Sequence, residues 1–129
     1  MIGITIKTLF MTTGTKNIIY KKGEIVLVPF PFTDLTAAKT RPALVVSEGN
    51  YEIETGNIII AMITSIPQTT VYDYEIKDWQ GANLLLPSWV RIKLATLEPN
   101  LVRHHIGSLS SMDLREVEKK ILLALAINR

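Results

Sequence analysis

The chain has 129 residues, a formal net charge of +2 at pH 7 and no cysteine. A chain of this length forms one domain, and 47% hydrophobic with 20% charged residues is the composition of a folded protein rather than a disordered one. The absence of cysteine excludes a disulfide framework and thiolate catalysis. The small net charge does not by itself indicate nucleic-acid binding, so a basic surface would require local clustering of Lys and Arg.

The N-terminal residues 1–20 show no clear period, and we interpret them as an extension that need not be ordered, preceding a domain at 21–129. The extension is not typical of a secretory signal, because it lacks a basic start and Lys7 interrupts its apolar run. No apolar run in the chain approaches the roughly 20 residues of a membrane helix. The sequence therefore predicts a soluble, cytoplasmic protein without a membrane partner.

Short apolar runs rich in β-branched residues predict strands over most of the chain. Polar loops are expected at 33–40, after two prolines that cannot donate to an interior ladder, and at 48–56. The predicted strands are 24–28, 42–47, 57–63, 71–76, 84–86 and 89–94.

The C-terminal segment is predicted to be helical. Ser110 or Ser111 suits the N-cap, and Asp113 favours the first turn. The apolar residues at helical spacing are Leu114, Val117, Ile121 and Leu125. Several short strands followed by one helix predict a mainly β fold, a small and strongly bent barrel with the helix packed on it.

Familiar catalytic signatures are absent from the sequence, which has no phosphate-binding glycine loop, nucleophile elbow or zinc-like histidine spacing. The adjacent His104 and His105 would point to opposite faces of a strand and cannot chelate one metal ion together. We therefore expect no metal site and no cofactor. Two features remain, Arg41 at the start of an apolar strand and Thr64-Ser65 at the end of another. Taken alone, such residues more often form structural ion pairs or bond backbone groups.

The order and spacing of several segments resemble the MazF/PemK toxin family, from about Lys21 to the C-terminus. The matching segments are GEIVLVPFPFTD (23–34), KTRPALVVS (39–47), ITS (63–65), LPSWVR (86–91) and IGSL (106–109). The resemblance implies an SH3-like barrel and a homodimer. It also implies the toxin of a type II toxin–antitoxin system, a sequence-selective endoribonuclease that cuts single-stranded RNA without a metal ion and is silenced by a cognate antitoxin.

By position, the family's functional arginine falls on Arg41 and its functional threonine on Thr64, and the family's mobile loop over the RNA falls on residues 32–40. Some members carry an acidic residue five positions before the arginine, where this chain has Thr36. Asp34 is therefore our first candidate for the group that accepts a proton.

RNA brings its own nucleophile, the ribose 2′-hydroxyl, so the protein need only align groups, stabilise charge and manage proton transfers. Arg41 suits binding of the phosphate oxygens, and Thr64, with Ser65, suits orientation of the 2′-hydroxyl or a bond to a phosphate oxygen. The further residues predicted to contact RNA are Lys39, Thr40, Arg91, Phe32 and Trp89.

Two alternatives stay open at this stage. The first is a non-catalytic toxin of the same fold that acts on a protein target such as gyrase, as CcdB-type toxins do. The second is an RNA-binding barrel without catalysis, because Thr36 replaces an acidic group.

Overall fold

The computed structural model describes residues 18–29 and 39–128. Most of the predicted N-terminal extension, residues 1–17, therefore lies outside the described residues, as do residues 30–38, which include residues 32–38 of the predicted RNA-facing loop. The residues of that loop named in our predictions are Phe32, Asp34 and Thr36.

The described part of the chain folds into six strands, two α-helices and one 3₁₀ turn. The strands are β1 (Glu24–Pro29), β2 (Thr40–Val45), β3 (Ile58–Thr64), β4 (Tyr74–Glu75), β5 (Trp89–Leu97) and β6 (His104–Ser108). The helices are α1 (Gly49–Thr55) and α2 (Ser111–Ala124), and the 3₁₀ turn is Pro99–Leu101. The prediction of a mainly β fold of the small SH3-like barrel type with a C-terminal helix is confirmed; the sheet is a curled half-barrel.

All six strands form one antiparallel sheet in the order β4-β5-β3-β2-β1-β6. The register shifts between Ile25 and Val26 in β1 and between Ala61 and Met62 in β3. The partner strand carries the extra residues, one in β6 and two in β5. Extra residues on one strand bend that strand and increase its twist, so these two irregularities help the sheet to curl.

Successive side chains of the strands point to opposite faces of the sheet, and each face carries an apolar cluster. One cluster packs against α2 and includes Ile25, Leu44, Ile63, Val90 and Val117. The other cluster includes Tyr20, Val26, Val28, Val45 and Ile60. Fully burying one such aliphatic side chain contributes about 1.5–3 kcal/mol, so the two faces together hold the sheet in its curled form.

The end of the predicted extension packs against this second cluster. Tyr20 is 3% exposed, and its backbone N–H donates a hydrogen bond to Glu52 Oε1 of α1 at 2.9 Å.

Helix α2 begins and packs as its sequence predicts. Ser110 is the N-cap, and its Oγ accepts a hydrogen bond from the backbone N–H of Asp113 at 3.1 Å. Val117 is fully buried, and Leu114 and Ile121 pack against the same cluster. The apolar stripe read from the sequence is therefore the face that covers the sheet.

One predicted loop was wrong, because residues 48–56 contain helix α1. The helix ends at Gly56, whose φ of 76° is readily adopted by glycine and whose N–H donates to the Glu52 carbonyl at 2.8 Å. Only Glu52 of this helix is buried, so the segment lacks the apolar stripe by which a helix is recognised in sequence.

Two predicted strands also need correction. The strand expected at 71–76 is reduced to Tyr74–Glu75, because the N–H of Asp73 bonds back to the Thr70 carbonyl in a turn. Residues 84–86 form no strand; they follow a turn in which the N–H of Leu84 bonds to the carbonyl of Trp79. The other predicted strands agree with β1, β2, β3 and β5 to within a few residues at each end.

Candidate active site

A pocket of about 680 Å³ opens where β2 begins and β3 ends. The three catalytic candidates of the described part of the chain, Arg41, Thr64 and Ser65, all border it. The remaining lining comes from all four strands β1, β2, β3 and β6, from Ile66, and from residues 83–86 and 88. The fold therefore brings together candidates that are more than 20 positions apart in the sequence.

The strand register explains why Arg41 and Thr64 meet. Arg41 lies opposite Val28 of β1, and on the other side of β2 the pairing with β3 runs through Ala43 and Met62. Continuing this antiparallel register by two residues places Arg41 opposite Thr64. Both side chains thus stand at the same end of the sheet.

The guanidinium of Arg41 lacks a partner among the described residues. Its Nε is buried and has no hydrogen-bond partner there, and no carboxylate of residues 18–29 or 39–128 forms an ion pair with it. A buried N–H that makes no hydrogen bond costs free energy, and the planar guanidinium fits two oxygens of a phosphate or carboxylate. The arrangement suits binding of an anion at the start of β2.

Thr64 performs the backbone task common for a threonine at a strand end, since its Oγ1 accepts a hydrogen bond from the N–H of Ile66 at 3.1 Å. Its hydroxyl hydrogen remains available to donate. Ser65 is exposed beside it. This corner of the pocket can therefore offer hydroxyl donors to an oxygen of a bound ligand.

Residues 83–86 form an apolar wall of the pocket. Asn83 adopts a positive φ of 67°, and its Nδ2 donates to the Ile106 carbonyl of β6 at 2.8 Å. The preceding turn lies so close to β6 that a Cβ added at Gly107 would be 2.3 Å from the Ala82 carbonyl oxygen. Leu85 is 93% exposed at the rim. The sequence prediction missed this wall by assigning it to a strand.

The carboxylate of Asp113 anchors the segment that leads into this wall. It accepts hydrogen bonds from the Tyr74 hydroxyl and from the backbone N–H groups of Lys77 at 3.1 Å and Asp78 at 2.9 Å. Burial acts on the pKa of Asp113 most strongly and raises it, but the combined hydrogen bonds from Tyr74, Asp78, Lys77 and Ser110 lower that pKa overall. Burial, the hydrogen bond to Asp113 and nearby negative charge raise the pKa of Tyr74.

Two of the predicted RNA-binding residues lie on β5, away from the pocket lining. Arg91 borders a second pocket with Tyr72, and its Nε lies 3.4 Å from Asp73 Oδ1. Trp89 is half-buried and pairs with Thr64 across the strands. The strand pairing therefore places the backbone of Trp89 beside that of Thr64. Arg91 and Arg41 border different pockets.

The remaining RNA-binding candidates lie before Arg41 in the chain. Lys39 and Thr40 are exposed at the start of β2. Phe32 and the proton-acceptor candidate Asp34 lie outside the described residues.

His104 and His105, for which we predicted no role from the sequence, both border the pocket from β6. The strand conformation of the pair agrees with the expectation that they point to opposite faces. His105 Nε2 lies 3.0 Å from Glu24 Oε2, whereas no hydrogen bond or ion pair to another described residue involves the His104 ring. Their place on a strand was the signal that could have identified them, and a single sequence shows this short strand only weakly.

Within residues 18–29 and 39–128, no group of three or more His, Cys, Asp or Glu side chains is arranged to hold a metal ion. In the same part of the chain, no helix has the length and apolar character needed to cross a membrane.

Comparisons with known proteins agree with this architecture. A family model described as "PemK-like, MazF-like toxin of type II toxin-antitoxin system" matches residues 21–125. No curated protein matches the chain by sequence.

Several solved structures share the fold at low sequence identity. An endoribonuclease from a mycobacterial species is 15% identical, with a TM-score of 0.71 over 89% of this chain and 99% of that one. A mycobacterial endoribonuclease in complex with its cognate antitoxin is 14% identical, with a TM-score of 0.70 over 85% and 98% of the two chains. A MazE–MazF structure from Deinococcus radiodurans is 19% identical, with a TM-score of 0.69 over 87% and 100%.

Proposed function

We infer the function of this chain from its family and its pocket: the chain belongs to the PemK-like, MazF-like toxins of type II toxin–antitoxin systems. We propose that it is a metal-independent, sequence-selective endoribonuclease that cuts single-stranded messenger RNA. The observation that carries this proposal is the meeting of Arg41 and Thr64 in one pocket, where the buried Arg41 Nε has no hydrogen-bond partner among the described residues.

In the proposed reaction the ribose 2′-oxygen bonds to the adjacent phosphorus while the bond from phosphorus to the 5′-oxygen breaks, giving a 2′,3′-cyclic phosphate and a 5′-hydroxyl. The 2′-hydroxyl gives up its proton, for which Asp34 is our first candidate acceptor, and the departing 5′-oxygen takes up a proton from solvent water. Arg41 binds the non-bridging phosphate oxygens and stabilises the charge that grows on them in the transition state. Thr64 and Ser65 donate hydrogen bonds that orient the 2′-hydroxyl or a phosphate oxygen. These residues supply binding and alignment, while the RNA supplies the nucleophile.

Contacts to the neighbouring nucleotides are part of the same proposal. Lys39 and Thr40 directly precede Arg41 and are exposed, so they are placed to contact flanking phosphates. Phe32 and Trp89 are proposed to stack on bases, and Arg91 to bind a phosphate farther from the cut. With messenger RNA as the substrate, the site of action is the cytoplasm.

A homodimer and an antitoxin complete the proposal. Apolar side chains at the end of α2 and just after it are exposed, Leu123 by 56%, Leu125 by 54% and Ile127 by 47%. Such a patch is suited to burial against a second copy of the chain. The similarity to antitoxin-bound structures supports a cognate antitoxin for this chain. We propose that this antitoxin covers the pocket. Residues 21–129 are proposed to be the toxin domain, with residues 1–20 as an extension.

The proposal is tested with purified protein and three labelled oligonucleotides in EDTA: single-stranded RNA, duplex RNA and single-stranded DNA. We expect cleavage of the single-stranded RNA alone, because DNA lacks the 2′-hydroxyl and a duplex holds its bases stacked. RNA binding without cleavage would favour an RNA-binding barrel, and neither binding nor cleavage would favour a toxin with a protein target. Either result would overturn the proposal.

A further inference from the structure

We propose that Glu75 selects the base of the nucleotide immediately 5′ of the cut, and that this base is guanine. With the base stacked on Trp89, the carboxylate of Glu75 accepts hydrogen bonds from the donors on the Watson–Crick edge. This role rests on the proposed function, and neither the sequence motifs nor the family resemblance indicated it.

Four residues form a row across one end of the sheet. Thr64 of β3 pairs with Trp89 of β5, and Trp89 pairs on its other side with Glu75 of β4. Arg41 of β2 lies opposite Thr64 when the register of β2 and β3 is continued. The row therefore follows the strand order β2-β3-β5-β4, from the arginine to the glutamate.

The four side chains of this row point to the same face of the sheet. The strand residue next to each of the last three belongs to the apolar cluster that packs against α2; these neighbours are Ile63, Val90 and Tyr74. Successive side chains alternate between the faces, so Thr64, Trp89 and Glu75 point to the other face. Arg41 is on that face too, because it pairs with Val28 of the second cluster.

The carboxylate of Glu75 is available to a ligand. Its side chain is exposed, and it forms no hydrogen bond or ion pair with another residue of 18–29 or 39–128. Arg91, two residues beyond Trp89 on β5, has its Nε 3.4 Å from Asp73 Oδ1 instead. Both oxygens of Glu75 can therefore accept hydrogen bonds from a bound base.

The order of the row matches the order of groups in the nucleotide that supplies the attacking hydroxyl. In that nucleotide the ribose lies between the phosphate to be cut and the base. With the phosphate at Arg41 and the 2′-hydroxyl at Thr64, the base extends toward Trp89 and its far edge toward Glu75. Neighbouring strands are about 4.8 Å apart, so the four backbones span about 14 Å, which one nucleotide and the outer side chains can fill.

The hydrogen-bonding groups of a carboxylate favour guanine at this position. An ionised carboxylate has only acceptors, and guanine is the base whose Watson–Crick edge presents two adjacent donors, N1–H and N2–H. Uracil presents one donor between two acceptor oxygens, and adenine and cytosine each present an amino donor beside an acceptor nitrogen. Guanine alone can donate two parallel hydrogen bonds to Glu75.

The test compares four short single-stranded RNAs that differ only in the base immediately 5′ of the cut. The cut is first located by sequencing the 5′-hydroxyl ends that wild-type protein leaves on a long RNA in EDTA. Single-turnover rates are then measured for wild type, Glu75→Gln and the control Glu54→Gln, with melting curves for all three proteins. Glu54 is exposed on α1, outside the row, and its replacement removes the same charge.

We expect wild type to cut the guanine RNA about tenfold or more faster than each of the other three. Glu75→Gln should lose this preference and cut the adenine and cytosine RNAs at least as fast as the guanine RNA. The reason is that an amide can accept from their amino group and donate to their acceptor nitrogen. Glu54→Gln should keep the wild-type order of rates.

A change in the RNA alone tests the same contact in the unaltered protein. Inosine in place of guanine keeps N1–H but lacks the N2 amino group. Wild type should cut the inosine RNA about tenfold or more slowly than the guanine RNA, because one hydrogen bond to a charged group is lost. Glu75→Gln should cut these two RNAs at nearly equal rates.

Three results would overturn the role of Glu75 while the ribonuclease function stands. They are a wild-type preference for another base at this position, a guanine preference that Glu75→Gln retains, and an equal slowing of all four RNAs by Glu75→Gln. If wild-type protein cuts no RNA, the proposed function itself fails, and the role of Glu75 fails with it.

Discussion

Replacing Arg41 by alanine tests whether this arginine serves RNA cleavage or the stability of the fold. Among the described residues the side chain forms no ion pair, and its buried Nε makes no hydrogen bond. A structural arginine at a strand end would instead be paired with a carboxylate or a backbone carbonyl. The replacement should therefore reduce RNA cleavage and leave the free energy of unfolding almost unchanged.

The expected magnitudes follow from these contacts. Loss of one preorganised donor to the transition state costs about 10²–10³-fold in rate, or about 2.7–4 kcal/mol. Arg41→Lys should recover only part of this, because an ammonium group cannot contact two phosphate oxygens in the planar geometry of a guanidinium. The free energy of unfolding should fall by no more than about 0.5 kcal/mol, because the replacement breaks no structural hydrogen bond and removes a buried N–H that has no partner among the described residues.

The assay combines single-turnover cleavage of single-stranded RNA in EDTA with urea unfolding followed by circular dichroism. Arg115→Ala is a matched control, since Arg115 is exposed on α2 and does not border the pocket. The reasoning would be refuted if Arg41→Ala cut RNA at the wild-type rate, or if it lost several kcal/mol of stability together with its activity.

Three further substitutions test other parts of the account. Thr64→Val keeps the β-branched shape but removes the hydroxyl, so the cleavage rate should fall while the melting temperature stays within a few degrees of wild type. Asp113→Asn weakens the anchor of three hydrogen bonds and should cost about 2–4 kcal/mol in urea unfolding. Because the folded-state pKa of Asp113 is lowered below its ordinary 3.8, its ionisation stabilises the fold above that pH. This contribution is lost as the pH falls through the folded-state value, so wild type and Asp113→Asn should converge in strong acid. Gly107→Ala places a Cβ 2.3 Å from the Ala82 carbonyl oxygen, and we expect a lower melting temperature from a loss of about 1–3 kcal/mol.

The features read correctly from the sequence are those with a strong local pattern. Helix α2 has a capping serine at position 110 and an apolar stripe, and both features place it as predicted. The apolar runs that became β1, β2, β3 and β5 are long enough to identify without tertiary information. The assignment of functional roles to Arg41 and Thr64 came from the family resemblance, and the strand register explains why the two residues lie at one end of the sheet.

The features missed depend on contacts between distant segments. Residues 84–86 look like a strand by composition, but the N–H groups of Lys77 and Asp78 bind Asp113 and start the turn that directs 84–86 to the pocket instead. Helix α1 buries only Glu52, whose carboxylate accepts a hydrogen bond from a residue more than 30 positions earlier in the chain. His104 and His105 border the pocket only because β6 pairs with β1, a neighbour that the sequence order does not reveal.

The central claim is that the 2′-hydroxyl of the RNA is the nucleophile in a pocket organised by Arg41 and Thr64. The most direct measurement uses a short single-stranded RNA containing the cleaved sequence, with and without one 2′-deoxy nucleotide immediately 5′ of the cut, incubated in EDTA. Mass spectrometry of the products should show a 2′,3′-cyclic phosphate and a 5′-hydroxyl from the natural RNA and no cut at the deoxy position. Cleavage at the deoxy position, or fragments ending in a 3′-hydroxyl and a 5′-phosphate, would contradict the account.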